Sequence, residues 1–231
     1  SLARTQAFGV DLQGIELQVR AGEVVGIAGV SGNGQKELLQ ALSGEDVRAP
    51  VHSVQLRSTQ GAMVAAGGMN PALRRALGLH FVPEERLGRG AVPSLPLAHN
   101  LLLTRTDALG PLGWIRSSTL QAQARGLIER FGVKAGGPLA PAQSLSGGNL
   151  QKFIVGREIM QAPKVMIVAQ PTWGVDVGAA ATLGSFFLHA ANAQALALAQ
   201  GVEAQAHVLA QLAPPVVLDG ARRVADVAVQ K

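Results

Sequence analysis

Apolar positions along this chain fall into two kinds of run, and their order predicts an architecture. Val24-Val25-Gly26-Ile27-Ala28 and Val165-Met166-Ile167-Val168-Ala169 are short and nearly uninterrupted, the pattern of strands buried on both faces. Residues 12 to 20 alternate apolar and polar, which predicts a half-buried strand. After a glycine-rich turn, Glu37 to Leu42 predicts a helix that Ser43-Gly44 stops. One strand is expected within Val51 to Leu56, a short basic helix over Pro71 to Leu77, and a core strand over Leu79 to Val82. Residues 91 to 133 read as mainly helical with proline and glycine breaks, and Ala135 to Gln143 as a proline-rich linker. From Leu150 to Met160 the residues Leu150, Phe153, Ile154, Ile159 and Met160 share one helical stripe. A helix over 178 to 193, a weak strand near Leu196 to Ala199, a further helix and a hairpin turned at Asp219-Gly220 complete the pattern. Strands alternating with helices predict a mainly parallel α/β sheet, and no internal repeat is visible.

Composition narrows the class. At 231 residues with 48% hydrophobic and 15% charged, the chain can bury a sizeable core and is no disordered tail. No apolar run approaches the roughly 20 residues that cross a bilayer. The absence of cysteine excludes disulfides, a thiol nucleophile and cysteine zinc sites. A net charge of +5 is spread over scattered basic residues, paired at Arg74-Arg75 and Arg222-Arg223, which reads as a solvated basic surface. With aromatics at 3% and no tyrosine, a base-stacking platform is not expected, and neither is a nucleic-acid partner. The opening Ser-Leu-Ala-Arg lacks a signal-peptide pattern, and Ser1 is expected to be a boundary inside a longer reading frame. His52, His80, His99 and His189 have no metal-ligand spacing, so no protein-ligated metal is predicted.

Two loops carry the chemistry. A phosphate-binding P-loop, G-x-x-x-x-G-K-[ST], surrounds phosphates with backbone amides, neutralises them with lysine and holds magnesium through the hydroxyl. Gly29-Val30-Ser31-Gly32-Asn33-Gly34-Gln35-Lys36-Glu37 keeps the glycine frame between strand and helix. Gln35 stands at the lysine position and Lys36 at the hydroxyl position, while Glu37 adds negative charge nearby. A neutral amide gives up a charge-assisted bond of about 1.5 to 3 kcal/mol. Lys36 replaces the missing lysine only if the loop shifts by one residue, because neighbouring helical positions point about 100° apart. Alone, this run also suits an ordinary strand-to-helix turn.

The second loop is Leu145-Ser146-Gly147-Gly148-Asn149. Ser146 and the glycine amides stand where a helix begins, and the free N–H groups and dipole there favour an anion. By itself the run could be a helix cap. It is followed by Gln151-Lys152, Arg157-Glu158, a buried strand, and Gln170-Pro171-Thr172-Trp173-Gly174-Val175-Asp176.

In this order the elements resemble the nucleotide-binding domain of ABC transporters over nearly the whole chain. GVSGNGQ, VPEERLGRG and LSGGNLQK are similar to the second of two fused ATPase domains in importers of simple sugars and nucleosides. The resemblance implies an α/β fold, a P-loop NTPase (RecA-like) core with an antiparallel β subdomain and an inserted helical subdomain. Core and β subdomain would occupy 1–90 and 150–231, and the helical subdomain with the signature loop 91–149. It places Ser146, Gly147, Gly148, Asn149 and Gln151 in a signature that acts on nucleotide in trans. Gly29, Ser31, Gly32, Asn33, Gly34, Gln35, Lys36 and Glu37 become nucleotide-binding positions, Glu84 takes the Q-loop glutamine position, and Asp176 lies in the D-loop. ATP and Mg²⁺ are the implied cofactors, bound mainly at a composite site with a partner domain. The implied partners are a second ABC ATPase domain, fused or separate, transmembrane permease subunits and a substrate-binding protein, at the cytoplasmic face of the membrane.

The family pattern is broken where hydrolysis is done. Ala169 and Gln170 occupy the places of the magnesium-ordering aspartate and the catalytic glutamate, and Gln200 that of a γ-phosphate histidine. Gln170, at the catalytic position, can orient water but cannot take its proton, a loss of about 10²- to 10⁴-fold. Phe8 is the candidate for the adenine-stacking aromatic, against simple packing, and His207 reads as a helix-surface residue. The sequence therefore predicts a signature donor whose own P-loop site is degenerate. Two other classes remain: a soluble ABC-type protein acting on nucleic acid or ribosomes, and a non-enzymatic nucleotide sensor.

Overall fold

The computed structural model describes residues 2–3, 9–29, 32–58, 60–105, 114–191, 195–201 and 222–226. The two continuous apolar runs become central strands, β1 (Val24–Gly29) and β5 (Val165–Ala169), with Val25, Ile27, Ile167 and Val168 at most 2% exposed. They belong to a five-stranded sheet of order β4-β5-β6-β1-β7, completed by β4 (Leu79–Val82), β6 (Ala195–Gly201) and β7 (Arg222–Asp226). The pairs β1/β6, β5/β6 and β1/β7 are all parallel. Every parallel connection must cross over, as the alternation of strands and helices predicts.

Between the strands, α1 (Gln35–Ser43) follows the glycine turn and ends on Gly44, whose φ of 86° lets its N–H return to the Gln40 carbonyl at 3.1 Å. The helix α2 (Pro71–Ala76) starts where the Asn70 side chain accepts from the Leu73 N–H at 3.0 Å and proline takes the first turn. The remaining helices are α3 (Leu97–Asn100), α4 (Ser117–Arg130), α5 (Gly147–Ile159) and α6 (Val177–Ala191).

Three expectations need correction. Residues 12 to 20 show the expected sidedness, with Ile15, Leu17 and Val19 half-buried between exposed Glu16, Gln18 and Arg20. Yet among the described residues their ladder is limited to the bridge Leu2 to Leu12. Alternation reports which side faces the core, and a strand also needs a neighbour to bond. In the segment Val51 to Leu56, Val51–Ser53 is a 3₁₀ turn. Proline 50 sets that turn, and the Ser53 hydroxyl donates to the Pro50 carbonyl at 2.6 Å. The strand is only β2 (Gln55–Arg57), paired antiparallel with β3 (Met63–Ala65). The further helix and the hairpin turn at 219–220 lie outside the described residues; β7 itself joins β1 in parallel.

The third correction concerns Arg74, which the sequence places on a solvated basic surface and which is fully buried. Its guanidinium donates to the carbonyls of Ala41 (2.5 Å), Leu42 (2.7 Å), Gly67 (2.8 Å) and Met69 (3.0 Å). Two of those carbonyls belong to the last turn of α1, where unpaired acceptors and the helix dipole favour a cation. Burial lowers the Arg74 pKa from its ordinary value.

The chain divides into two compact units, one of 1–81, 163–170 and 184–231, the other of 82–162 and 171–183. In the first, Leu12, Ile27, Leu38, Leu39, Leu56, Leu79 and Ile167 form one apolar cluster. In the second, Asn100 is fully buried, accepts from the Val92 N–H at 2.8 Å and donates to the carbonyls of Val92, Leu95 and Pro96. Nearby, Arg157 bonds Glu158 at 2.9 Å and the Asn100 carbonyl at 3.1 Å, an ion pair with side chains 3% and 0% exposed.

Candidate functional site: two phosphate-recognition loops

In the first unit, the parallel register brings the ends of β1, β5 and β6 to one sheet edge. Gly29, the last residue of β1, pairs with Gly201 of β6, and Ala169, the last of β5, pairs with Ala199. The P-loop and Gln170 therefore leave the sheet at its carboxyl end, where open α/β sheets bind ligands, and the Gln200 backbone is still paired there with Ala28. Gly32 and Gly34 have φ of 87° and 94°, a left-handed backbone that other residues rarely adopt, and Gly34 caps α1. Gln35 then opens the helix half-buried, Lys36 is exposed, and Asn33 and Glu37 are half-buried. Ser31, Phe8 and His207 lie outside the described residues.

Lys36 and Glu37 line a cleft with Gln40, Leu2, Val10 and Leu12, of ≈ 70 Å³. Pockets for drug-sized ligands hold roughly 300 to 1,000 Å³, so this cleft covers at most an edge of such a molecule. At the end of β5, Gln170 has φ of 46°, a left-handed conformation costly for a residue with a side chain. The β1 and β5 loops bring Gln35, Lys36, Glu37, Ala169 and Gln170 to this edge. Mg²⁺ demands oxygen ligands, usually carboxylates, and this set offers one carboxylate and no hydroxyl. These five residues by themselves do not supply the oxygen set that Mg²⁺ takes.

In the second unit, Ser146 is the N-cap of α5, with φ −63° and ψ 156°. The helix begins at Gly147, three residues before the expected Leu150. Ser146 occupies the cap position without capping: its hydroxyl accepts from the Asn149 side-chain amide at 2.9 Å. The Asn149 side-chain oxygen in turn accepts from the Lys134 N–H at 2.9 Å. Ser146 and Gly147 are exposed, Gly148 and Gln151 buried. The exposed part of the loop thus carries the Ser146 hydroxyl and the Gly147 amide at a helix start, groups of the kind that receive an anionic oxygen.

Glu84 is exposed on the charged loop after β4. Asp176 precedes α6, its carbonyl accepting from the Ala180 N–H at 2.9 Å, and an added Cβ on Gly178 would lie 3.3 Å from Asp176 Oδ1. That carboxylate stands over the first turn of α6, where the dipole favours negative charge. Sequence reasoning passed over Arg86, whose guanidinium donates to the carbonyls of Trp173 and Gly174. Trp173 itself is 61% exposed. No sequence signal separates Arg86 from the other arginines of its charged loop. Among the described residues no group of three or more His, Asp or Glu could hold a metal, and no helix is long and apolar enough to cross a membrane.

A parallel sheet whose strand runs through a glycine loop into a helix start defines a P-loop nucleotide-binding fold. The family model for ABC transporters matches residues 12–173, and the chain belongs to that family as a nucleotide-binding domain. It is similar to the guanosine import ATP-binding protein NupO of Bacillus subtilis, 37% identical over 73% of this chain and 34% of that protein. The glucose import ATP-binding protein TsgD13 of Haloferax volcanii is 40% identical over 78% of this chain and 32% of its own length. The chain thus spans about a third of these curated relatives. A dimeric bacterial ABC transporter cassette superposes with a TM-score of 0.64 at 17% identity, covering 87% of this chain and 82% of that one. A nucleotide-free ABC cassette gives 0.62 at 21%, covering 87% and 78%.

Proposed function

We propose that this chain is the second, non-hydrolysing ATP-binding domain of an ABC importer for simple sugars or nucleosides. Its role is to present Ser146, Gly147, Gly148, Asn149 and Gln151 to ATP held on the P-loop of an intact partner domain. The observation that carries the reading is a contrast between the two loops. The signature loop is ordered by Asn149 and ends on exposed donors, whereas the P-loop edge carries Gln35 for lysine and Ala169-Gln170 for two acids. Phosphoryl transfer depends on positioning and charge stabilisation, so donors aimed at another domain's phosphate contribute without bond chemistry of their own. Similarity to sugar and nucleoside import ATP-binding proteins about three times as long supports a second ATPase domain beside this one.

In this reading ATP and Mg²⁺ reside mainly at the composite site. Residues 1–231 form one ABC ATP-binding domain, with 91–149 its helical subdomain. The partners are the second ATPase domain, permease subunits and a substrate-binding protein, at the cytoplasmic membrane face. Glu84 and the helical subdomain face the permease, and Asp176 faces the partner domain.

Turnover of ATP by this chain alone tests the degenerate site. Background rates are expected, with weak nucleotide binding through the remaining P-loop amides; robust hydrolysis without a partner overturns the reading.

A further inference from the structure

We infer that Arg86 is a positioning residue that fixes the turn Trp173-Gly174 against the amino end of α5, holding the signature loop and the segment before Asp176 at one spacing. The inference rests on the proposed role of Ser146 to Asn149 as donors to a partner's ATP.

Three observations converge on the guanidinium. It donates through Nη2 to the Trp173 carbonyl and through Nη1 to the Gly174 carbonyl at 3.4 Å, reaching 88 residues along the chain. Two glycines from separate loops enclose it. A Cβ added at Gly147 would lie 2.7 Å from Arg86 Nη1 and 3.0 Å from the Gly174 carbonyl, and one at Gly174 would lie 3.0 Å from Arg86 Nη2. A signature glycine and a turn glycine are thus both in contact with one planar group, and a side chain at either would push the guanidinium from its place. The base of Arg86 is also fixed: the Ala91 N–H bonds its carbonyl at 2.7 Å, the Gly90 N–H bonds the Glu85 carbonyl at 3.0 Å, and Ala91 is buried.

The chemistry selects arginine. A guanidinium presents paired donors in a rigid plane and spans two carbonyls, whereas a lysine ammonium is a point donor on a flexible stem. Arg86 directs its donors at the Trp173 and Gly174 carbonyls of its own unit. Its loss is therefore expected in the rate, through misplacement of donors, and not in ATP affinity.

Steady-state ATP turnover of the full-length protein carrying both ATPase domains tests this with Arg86→Lys, Arg86→Ala and Ser146→Arg. Arg86→Lys and Arg86→Ala are expected to lower kcat by about 10- to 100-fold, with KM for ATP and the thermal unfolding midpoint unchanged. Wild-type kcat in Arg86→Lys, with turnover abolished in Ser146→Arg, overturns the role of Arg86 and leaves the donor reading intact. Full turnover in Ser146→Arg overturns the donor reading and the inference with it. A lowered kcat accompanied by a lowered unfolding midpoint in both Arg86 variants makes the residue a fold support and also overturns the inference.

Discussion

Asn149 donates its side-chain amide to the Ser146 hydroxyl at 2.9 Å, so the serine is an acceptor within its own loop and keeps its O–H for an outside partner. Asn149 is itself held by the Lys134 N–H at 2.9 Å. In the proposed function, this relay is what would hold Ser146 in place as a donor.

Replacing Asn149 with alanine should therefore act on rate more than on folding. Two exposed hydrogen bonds are worth about 1 kcal/mol or less in stability, while misplacing a donor costs about tenfold or more in rate. Parallel measurement of urea unfolding and ATP turnover in the full-length protein checks the split. A large stability loss with normal turnover would show that the relay serves the fold alone.

Arg74→Ala should be among the most damaging single changes in the first unit. It strips a fully buried group from four carbonyl acceptors, two of them at the end of α1. A loss of about 3 to 5 kcal/mol is expected, and Arg74→Lys should recover only part of it because one ammonium cannot serve all four. Denaturant unfolding reads both, and an alanine variant within about 1 kcal/mol of wild type would contradict the assignment.

In the second unit, Glu158→Gln leaves the Arg157 charge buried against a neutral side chain. Breaking a buried pair from one side costs about 3 to 5 kcal/mol. The expected readout is a lowered thermal midpoint, with Glu158→Asp intermediate.

Acid weakens one further contact. Arg48 beside Asp46, at 2.5 Å, holds the Asp46 carboxyl below the usual carboxylate range. A depressed native pKa stabilises the fold above the unfolded pKa, and that gain is lost as pH falls through the native value. The pair is partly exposed, Arg48 more than Asp46, so Asp46→Asn should cost about 0.2 to 1 kcal/mol at neutral pH, with wild type and variant converging in acid. A gap that persists at low pH would place the effect elsewhere, for instance in the Arg48 bond to the Ala3 carbonyl at 3.0 Å.

How far the sequence alone reaches is visible in particular residues. Buried strands β1 and β5 and the stop of α1 at Gly44 were legible because each rests on a local rule: an apolar run, or a glycine able to take positive φ. The order of the two loops was legible for the same reason. Strand partners were not, since β7 joins β1 in parallel across the whole chain and the segment after Leu12 keeps its sidedness without a described ladder. Arg74 and Arg86 were illegible for a different cause. A cation bonded to carbonyls has no charged partner in sequence to betray it, and its acceptors come from turns up to 88 residues away. The glycines packed against them, Gly44, Gly147 and Gly174, are explained only by the structure, where each would bring a Cβ within 3.0 Å of a guanidinium nitrogen.

The central claim is that this chain works by donating Ser146 to ATP held elsewhere, and mixing tests it most directly. ATP turnover should be at background for this chain and for the partner domain separately, rise when they are combined, and vanish when the chain carries Ser146→Arg. Turnover by this chain alone, or a combined rate indifferent to Ser146→Arg, would contradict it.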